Sequence, residues 1–237
     1  MAKVPPPSGW VPGVTYVDKL TWSPAVPKDL RDLYDPNQNT MQQKQAQAKK
    51  ASTAIKKPPP SQQDELDIAG RSPLFLNEHV NVRGAEFPGM KEQRKNIKIK
   101  KITDASHPCC GAYGLVAAQT LQPRQLILDY LGVVEYKDGY SPSSDYVIRF
   151  GQDLSIDAEK FGNEARFCND FRGVAQGPNV CFLNYLDERS QRIRVGIFVL
   201  GNKKIKKGEE LLVTYGKSFW SNRGMDMSEQ NHSKATS

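Results

Sequence analysis

The chain has 237 residues, of which 38% are apolar. That length supports one substantial core, but the apolar share falls below the roughly 45–50% of a fully globular protein, so part of the chain is expected not to fold alone. A formal charge of +7 and a pI near 9.1 favour acidic partners such as nucleic acid or nucleosomes, although a soluble domain with basic tails has the same balance. No apolar run approaches the ~20 residues that span a bilayer, and no signal-peptide core opens the chain, so a soluble intracellular protein without membrane contact is expected. Cys109, Cys110, Cys168 and Cys181 make no Cys-x-x-Cys pair, and His79, His107 and His232 are not spaced to complete a metal site. No metal is expected, and the thiols read as reduced and buried.

Residues 1–70 read as a disordered, low-complexity arm. Val4–Gly9 is proline-rich, Pro12, Pro24, Pro27 and Pro36 follow, and Met41–Lys57 is almost wholly Gln, Ala and Lys before Pro58-Pro59-Pro60. Proline removes donors, and a Gln/Lys run has little to bury against its ordering entropy. A transient helix over Asn39–Ile55 fits the Ala, Gln and Lys content. Trp10, Tyr16 and Trp22 fit poorly with pure disorder; they read either as anchors on the domain or as a partner-binding motif. Residues 71–96 form a transition whose basic character continues through Lys98, Lys100 and Lys101. That run suits nuclear import or nucleic acid, and it equally suits an edge strand, because Ile97, Ile99 and Ile102 set up a period of two.

Beyond residue 110 short strand signals alternate with turns. Leu126–Val134 reads as one β segment, Tyr146–Phe150 and Leu154–Ala158 as a hairpin, and Val180–Leu186, Arg194–Leu200 and Glu210–Tyr215 as further strands. No helical period exceeds about three turns. The fold class is therefore mainly β, with several small sheets and few short helices.

The chemistry-bearing segments are unusual for what they lack. There is no Gly-x-Gly-x-x-Gly after a strand, no P-loop and no Gly-x-Ser-x-Gly elbow. What remains is a glycine turn at Gly111–Ala117, then Asp129–Gly132, then Gly162–Asp170 (GNEARFCND) closing on Pro178-Asn179, then Gly208–Gly216 (GEELLVTYG) running into Phe219-Trp220. In this order they resemble the SET-domain protein-lysine methyltransferases over residues 97–220, leaving 221–237 as a flexible tail. The ELLV-x-YG ending also resembles the PR-type branch of that family.

The resemblance implies a SET fold with a C-terminal pseudoknot, S-adenosyl-L-methionine as cofactor, and transfer of methyl groups to the ε-amine of lysine in a protein substrate. A histone tail, histone H3 by analogy, is the implied partner, with nucleosome or nucleic-acid contact through the basic segments. It further implies a nuclear protein, with the cytoplasm as the alternative, and a monomer. Tyr215 matches the catalytic tyrosine and Tyr130 a second one. The backbone at Ala112, Tyr113 and Gly114, together with Asn169, Asp170 and Tyr215, matches the donor site. Phe182, Val213, Phe219 and Trp220 match the lysine channel, where the loss of hydroxyls at Phe182 and Val213 implies di- or trimethylation. Arg166 and Phe167 are implied to be structural. The chain departs from the family at Asp170-Phe171, where His-Ser is usual, at Ala112, where the first glycine of the turn is usual, in the length of the loop Phe171–Gly177, and in lacking the flanking zinc-binding cysteine clusters. A second function fits those departures: a catalytically inactive SET-like module for chromatin or protein interaction. Asp138, Asp145, Asp153 and Asp157 are candidates for an acidic substrate groove and, equally, for turns.

Overall fold

The computed structural model describes residues 5–36, 81–83, 88–216 and 219–220. The expected helix over Asn39–Ile55, the rest of the arm to residue 70 and the tail over 221–237 lie outside the described residues.

Among the described residues the chain is mainly strand, with two short helices, α1 (Lys28–Tyr34) and α2 (Met90–Gln93), and 3-10 turns at Arg94–Asn96 and Glu164–Phe167. The longest ladder joins β12 (Val180–Asp187) to β13 (Arg192–Val199) as an antiparallel hairpin, flanked by β3 (Asn81–Arg83) and β6 (Leu126–Asp129). A second sheet orders β2 (Thr21–Trp22), β7 (Val133–Tyr136), β9 (Leu154–Asp157) and β8 (Val147–Arg149). Three two-stranded pairs complete the fold: β4 (Ile97–Lys101) with β5 (Tyr113–Ala117), β1 (Thr15–Tyr16) with β10 (Phe161–Gly162), and β11 (Asn169–Asp170) with β14 (Leu212–Val213). Leu115, Ile127, Ile156, Ile197 and Leu211, drawn from both larger sheets and the pairs, are fully buried in one core.

β4 behaves as its alternation predicts, with Ile97 buried and Lys98 and Lys100 exposed. The single strand expected over Leu126–Val134 is instead two, β6 and β7, which enter different sheets. The break falls at Tyr130–Gly132, where the main chain passes against the Asp157 carbonyl so closely that any Cβ on Gly132 would overlap it. The terminal strand is shorter than Glu210–Tyr215, but its neighbours make the expected crossing. β14 lies parallel to β11, while Leu211 N–H donates to the Leu115 carbonyl at 2.8 Å on its other side.

Residues 5–36, assigned to the arm, pack onto the domain. β1 pairs with β10 and β2 with β7, both in parallel. Trp10 sits edge-on to Tyr16 and to Phe167, with ring centroids 5.1 and 5.6 Å apart, and Tyr34, 1% exposed, meets Phe150 at 4.8 Å. A buried aromatic ring removes about 150–250 Å² from water, which offsets the ordering entropy that the proline-rich composition suggested would dominate. Of the two readings open for Trp10, Tyr16 and Trp22, docking is the one found. The folded unit also extends past residue 97 in the N-terminal direction, because β3 pairs with β12 and Met90 of α2 packs against the core.

Candidate functional site

The break after β6 turns Tyr130 into the molecule, where its phenol donates to the Tyr146 carbonyl at 2.8 Å. Tyr146 is held in turn by Arg166, whose guanidinium lies 3.8 Å from the ring centroid and whose Nε donates to the Ala158 carbonyl at 2.9 Å. These groups form one wall of a cavity of about 420 Å³. Phe182, edge-on to Tyr130 at 5.4 Å, with Phe219 and Tyr215, whose rings are 4.6 Å apart, forms the rest of its aromatic lining. Tyr215 donates its phenol proton to the Cys168 carbonyl at 3.0 Å. Burial holds both the Tyr130 and Tyr215 phenols well above the usual range, so both stay protonated and keep these hydrogen bonds at neutral pH.

One residue past Cys168, the Asn169 amide points the other way. Its Nδ2 donates to the Tyr113 carbonyl at 3.2 Å and to Glu210 Oε1 at 2.9 Å, while Glu210 Oε2 lies 3.1 Å from His107 Nε2. Gly114 leaves room here: a Cβ on it would come within 2.6 Å of Glu210 Oε1 and 3.4 Å of the Asn169 amide nitrogen, so the Glu210 carboxylate would have to move. Asn169 is therefore locked between the glycine turn and the terminal strand. The surroundings are electronegative. Burial first, and then the negative fields of Glu210 and Asp170, push the Cys109 thiol up.

Asp170 is buried, and its carboxylate accepts the Tyr215 main-chain N–H at 2.7 Å, both oxygens meet Arg172 Nη1 at 2.9 and 2.8 Å, and the Trp220 indole N–H lies 3.4 Å from Oδ2. Trp220 stacks on Tyr215 with centroids 6.2 Å apart.

Tyr130, Phe182, Tyr215 and Phe219 thus meet in one cavity, and Tyr113, Gly114 and Asn169 meet at a second place behind it. Ala112 ends the turn that feeds β5, its N–H donating to the Cys109 carbonyl. Two residues assigned to the channel lie elsewhere: Val213 is buried in the core on β14, paired with Asp170, and Trp220 backs Tyr215 without lining the cavity. A side chain on a two-residue parallel strand points to one face only, and the Val213 face is the core. Of the four aspartates, only Asp145 lines the cavity. Asp157 caps a turn by accepting from Ser144 Oγ and the Glu159 N–H, and Asp138 is exposed beside Tyr140. Phe167 packs inward and Arg166 holds a carbonyl, as their place in the motif implies. The partners that sequence reading missed are Tyr146, the Cys168 carbonyl and Glu210. Glu210, inside GEELLVTYG, and Cys168, inside GNEARFCND, lay within segments the sequence singled out, whereas Tyr146 carried no local signal. Among the described residues no group of three or more His, Cys, Asp or Glu is placed to hold a metal ion, and no helix is long and apolar enough to cross a membrane.

Residues 112–216 match the SET domain family. The chain is 31% identical over 115 residues to a "Histone-lysine N-methyltransferase, H3 lysine-36 specific" of Emericella nidulans, covering 44% of this chain and 11% of that one. It is 30% identical over 116 residues to the protein of the same description in Gibberella zeae, with 44% and 11% covered. It is also 28% identical over 160 residues to "Histone-lysine N-methyltransferase set1" of Dictyostelium discoideum, with 63% and 10% covered. The chain thus spans about a tenth of the length of the curated relatives it matches. With small sheets, a parallel β11–β14 crossing and both motifs joined at one place, residues 112–216 are similar to the SET domain in pattern and in arrangement.

Proposed function

We propose that the protein is an S-adenosylmethionine-dependent protein-lysine methyltransferase. The observation that carries this reading is the back-to-back arrangement at Cys168-Asn169. The Cys168 carbonyl faces an aromatic cavity through Tyr215, and the Asn169 amide faces the Tyr113–Gly114 main chain. The residues present fit a cationic donor. Among the described residues, the Asn169 side-chain oxygen accepts no hydrogen bond and remains for a ligand N–H, and the Glu210 carboxylate beside it favours positive charge. When bound, S-adenosylmethionine supplies an electrophilic methyl group on a sulfonium.

The chain's own residues do the rest. A lysine side chain enters the cavity between Tyr130, Phe182 and Phe219, where exclusion of water favours the neutral amine over an ammonium with a free pKa of about 10.4. Asp145, at the cavity wall, is the acidic contact for a basic peptide. The Tyr215 proton is committed to the Cys168 carbonyl, so its oxygen presents lone pairs to the cavity. It accepts an amine N–H and turns the amine lone pair inward, and holding that geometry is the larger part of catalysis of an in-line transfer. Tyr130 donates its proton to Tyr146, and Phe182 carries no hydroxyl, so the Phe182 side of the cavity has no hydrogen-bonding group to restrain a methylated amine. Di- or trimethylation follows from Phe182 alone, since Val213 is in the core. The substrate class is a histone tail, by similarity to relatives described as histone-lysine methyltransferases, and the site of action is nuclear.

Calorimetry with S-adenosylmethionine, followed by mass spectrometry of histone H3 and nucleosomes after incubation, tests the reading. Donor binding in the micromolar range with one methylated lysine is expected. No binding at millimolar donor overturns it in favour of an inactive SET-like interaction module.

A further inference from the structure

Rungs of a parallel ladder follow a fixed rule. After the Phe171 N–H donates to the Val213 carbonyl at 3.0 Å, the next rung takes the Tyr215 N–H to the Phe171 carbonyl. That N–H goes instead to Asp170 Oδ2 at 2.7 Å, so a side chain ends the ladder and releases the strand to turn. The carboxylate is 7% exposed, and its charge is offset by the Arg172 guanidinium at 2.8 and 2.9 Å, the Arg172 main-chain N–H at 3.0 Å and the Trp220 indole at 3.4 Å. Arg172 lies over Phe171 at 4.8 Å and Trp220 at 6.0 Å, and Trp220 stacks on Tyr215.

We propose that Asp170, Arg172 and Trp220 form a clasp that fixes the chain just beyond β14 and thereby aims the Tyr215 phenol. Asp170 is then a positioning residue and not a donor-binding group. A histidine in its place offers at most one acceptor nitrogen and no charge for Arg172, whereas the carboxylate serves four separate donor groups at once. The Asp170 departure is thus the element that holds Tyr215 against the Cys168 carbonyl. The turnover part of this proposal rests on the methyltransferase reading; the clasp itself does not.

The test uses the full chain and the variants Asp170→Asn, Asp170→Ala, Arg172→Ala and Trp220→Phe. Trp220 emission is read as the difference between each variant and its Trp220→Phe counterpart. Asp170→Asn keeps an acceptor for the Tyr215 N–H and loses the charged pair. It is expected to lower kcat about tenfold, leave the donor Kd within about twofold and shift Trp220 emission to longer wavelength. Asp170→Ala lowers kcat further, and adding Arg172→Ala to Asp170→Asn costs little more, because the two act as one unit. Unchanged Trp220 emission and kcat in Asp170→Asn overturn the clasp. A donor Kd that weakens in step with kcat returns Asp170 to donor binding and also overturns it. If the wild type neither binds donor nor turns over, the proposed function fails, and the emission shift alone still decides the clasp.

Discussion

Replacing Tyr215 with Phe removes one oxygen and leaves the ring. The structure then separates what is lost from what is kept. The ring keeps its packing against Phe219 at 4.6 Å and Trp220 at 6.2 Å, and the main-chain N–H keeps Asp170. What goes is the 3.0 Å hydrogen bond to the Cys168 carbonyl, a neutral pair worth about 1 kcal/mol to stability, with the carbonyl left facing the cavity. A Tm decrease of a few degrees is therefore expected. Donor affinity should change less than about twofold, because Asn169, Tyr113 and Gly114 are untouched. Turnover is a different matter: losing the hydroxyl held by the Cys168 carbonyl frees the amine to rotate in the cavity. A misplacement on the order of 1 Å in such a geometry costs about 10²-fold in rate, near 2.7 kcal/mol. The assay is single-turnover methylation at saturating donor, with calorimetry on the same preparation. A rate within about threefold of wild type, with intact donor binding, refutes the role given to the phenol oxygen.

Asn169→Ala removes the amide that bridges Tyr113 and Glu210, and calorimetry should show donor affinity weakened at least tenfold with a smaller change in rate at saturating donor. Gly132→Ala drives a Cβ into the Asp157 carbonyl, a main-chain atom held in the β7–β9 ladder, and should cost about 2 kcal/mol or more by chemical denaturation. Tyr34→Ala empties the contact with Phe150; limited proteolysis should cut within residues 5–36 much faster than in wild type, while the fold beyond residue 88 persists. Burial raises the Tyr130, Tyr185 and Tyr215 phenols above the usual value near 10, so the folded state keeps protons that the unfolded chain releases. Stability is then fully present below about pH 10 and falls above it; tyrosinate absorbance of this buried set should appear only as the circular dichroism is lost.

The parts of the fold legible in the sequence are those decided by neighbours in the chain. Ile97 and Ile99 against Lys98 and Lys100 announce an edge strand, and the segments around Gly151–Asp153 announce a hairpin, which β8 and β9 form. GNEARFCND and GEELLVTYG, each short, point to a shared site because both belong to one pattern, and β11–β14 pairing joins them. What was illegible depends on distant partners. Gly132 reads as an ordinary strand glycine until the Asp157 carbonyl is seen beside it, and that approach divides one expected strand between two sheets. Trp10 and Tyr34 sit in a stretch whose average composition argues for disorder, yet each finds a ring across the fold, Phe167 and Phe150. Val213 looks like a channel residue by position, and only the face it presents from β14 moves it into the core.

Apart from Asp170, the departures from the family pattern fall where main-chain atoms do much of the work of defining the site. Tyr215 is oriented by the Cys168 carbonyl, Tyr130 by the Tyr146 carbonyl and Asn169 by the Tyr113 carbonyl. A carbonyl contact survives side-chain substitution as long as the strand register does. The register here is held by Asn179, which accepts the Leu212 N–H at 2.8 Å through Oδ1 and donates to the Glu210 carbonyl at 2.8 Å through Nδ2, fastening the terminal segment before it reaches the cavity. Ala112 in a glycine position is tolerable on the same grounds, because the positive φ of the turn falls on Gly111 and the close approach falls on Gly114. Asp170 is the departure with a consequence, because its carboxylate takes over a ladder rung. Asn179→Ala should therefore harm activity more than Ala112→Gly, although Ala112 lies nearer the family's glycine turn. Its cost should appear as loss of both donor affinity and rate, since both faces of the Cys168-Asn169 segment depend on the register it holds. Loss of rate alone would show that the register survives without Asn179.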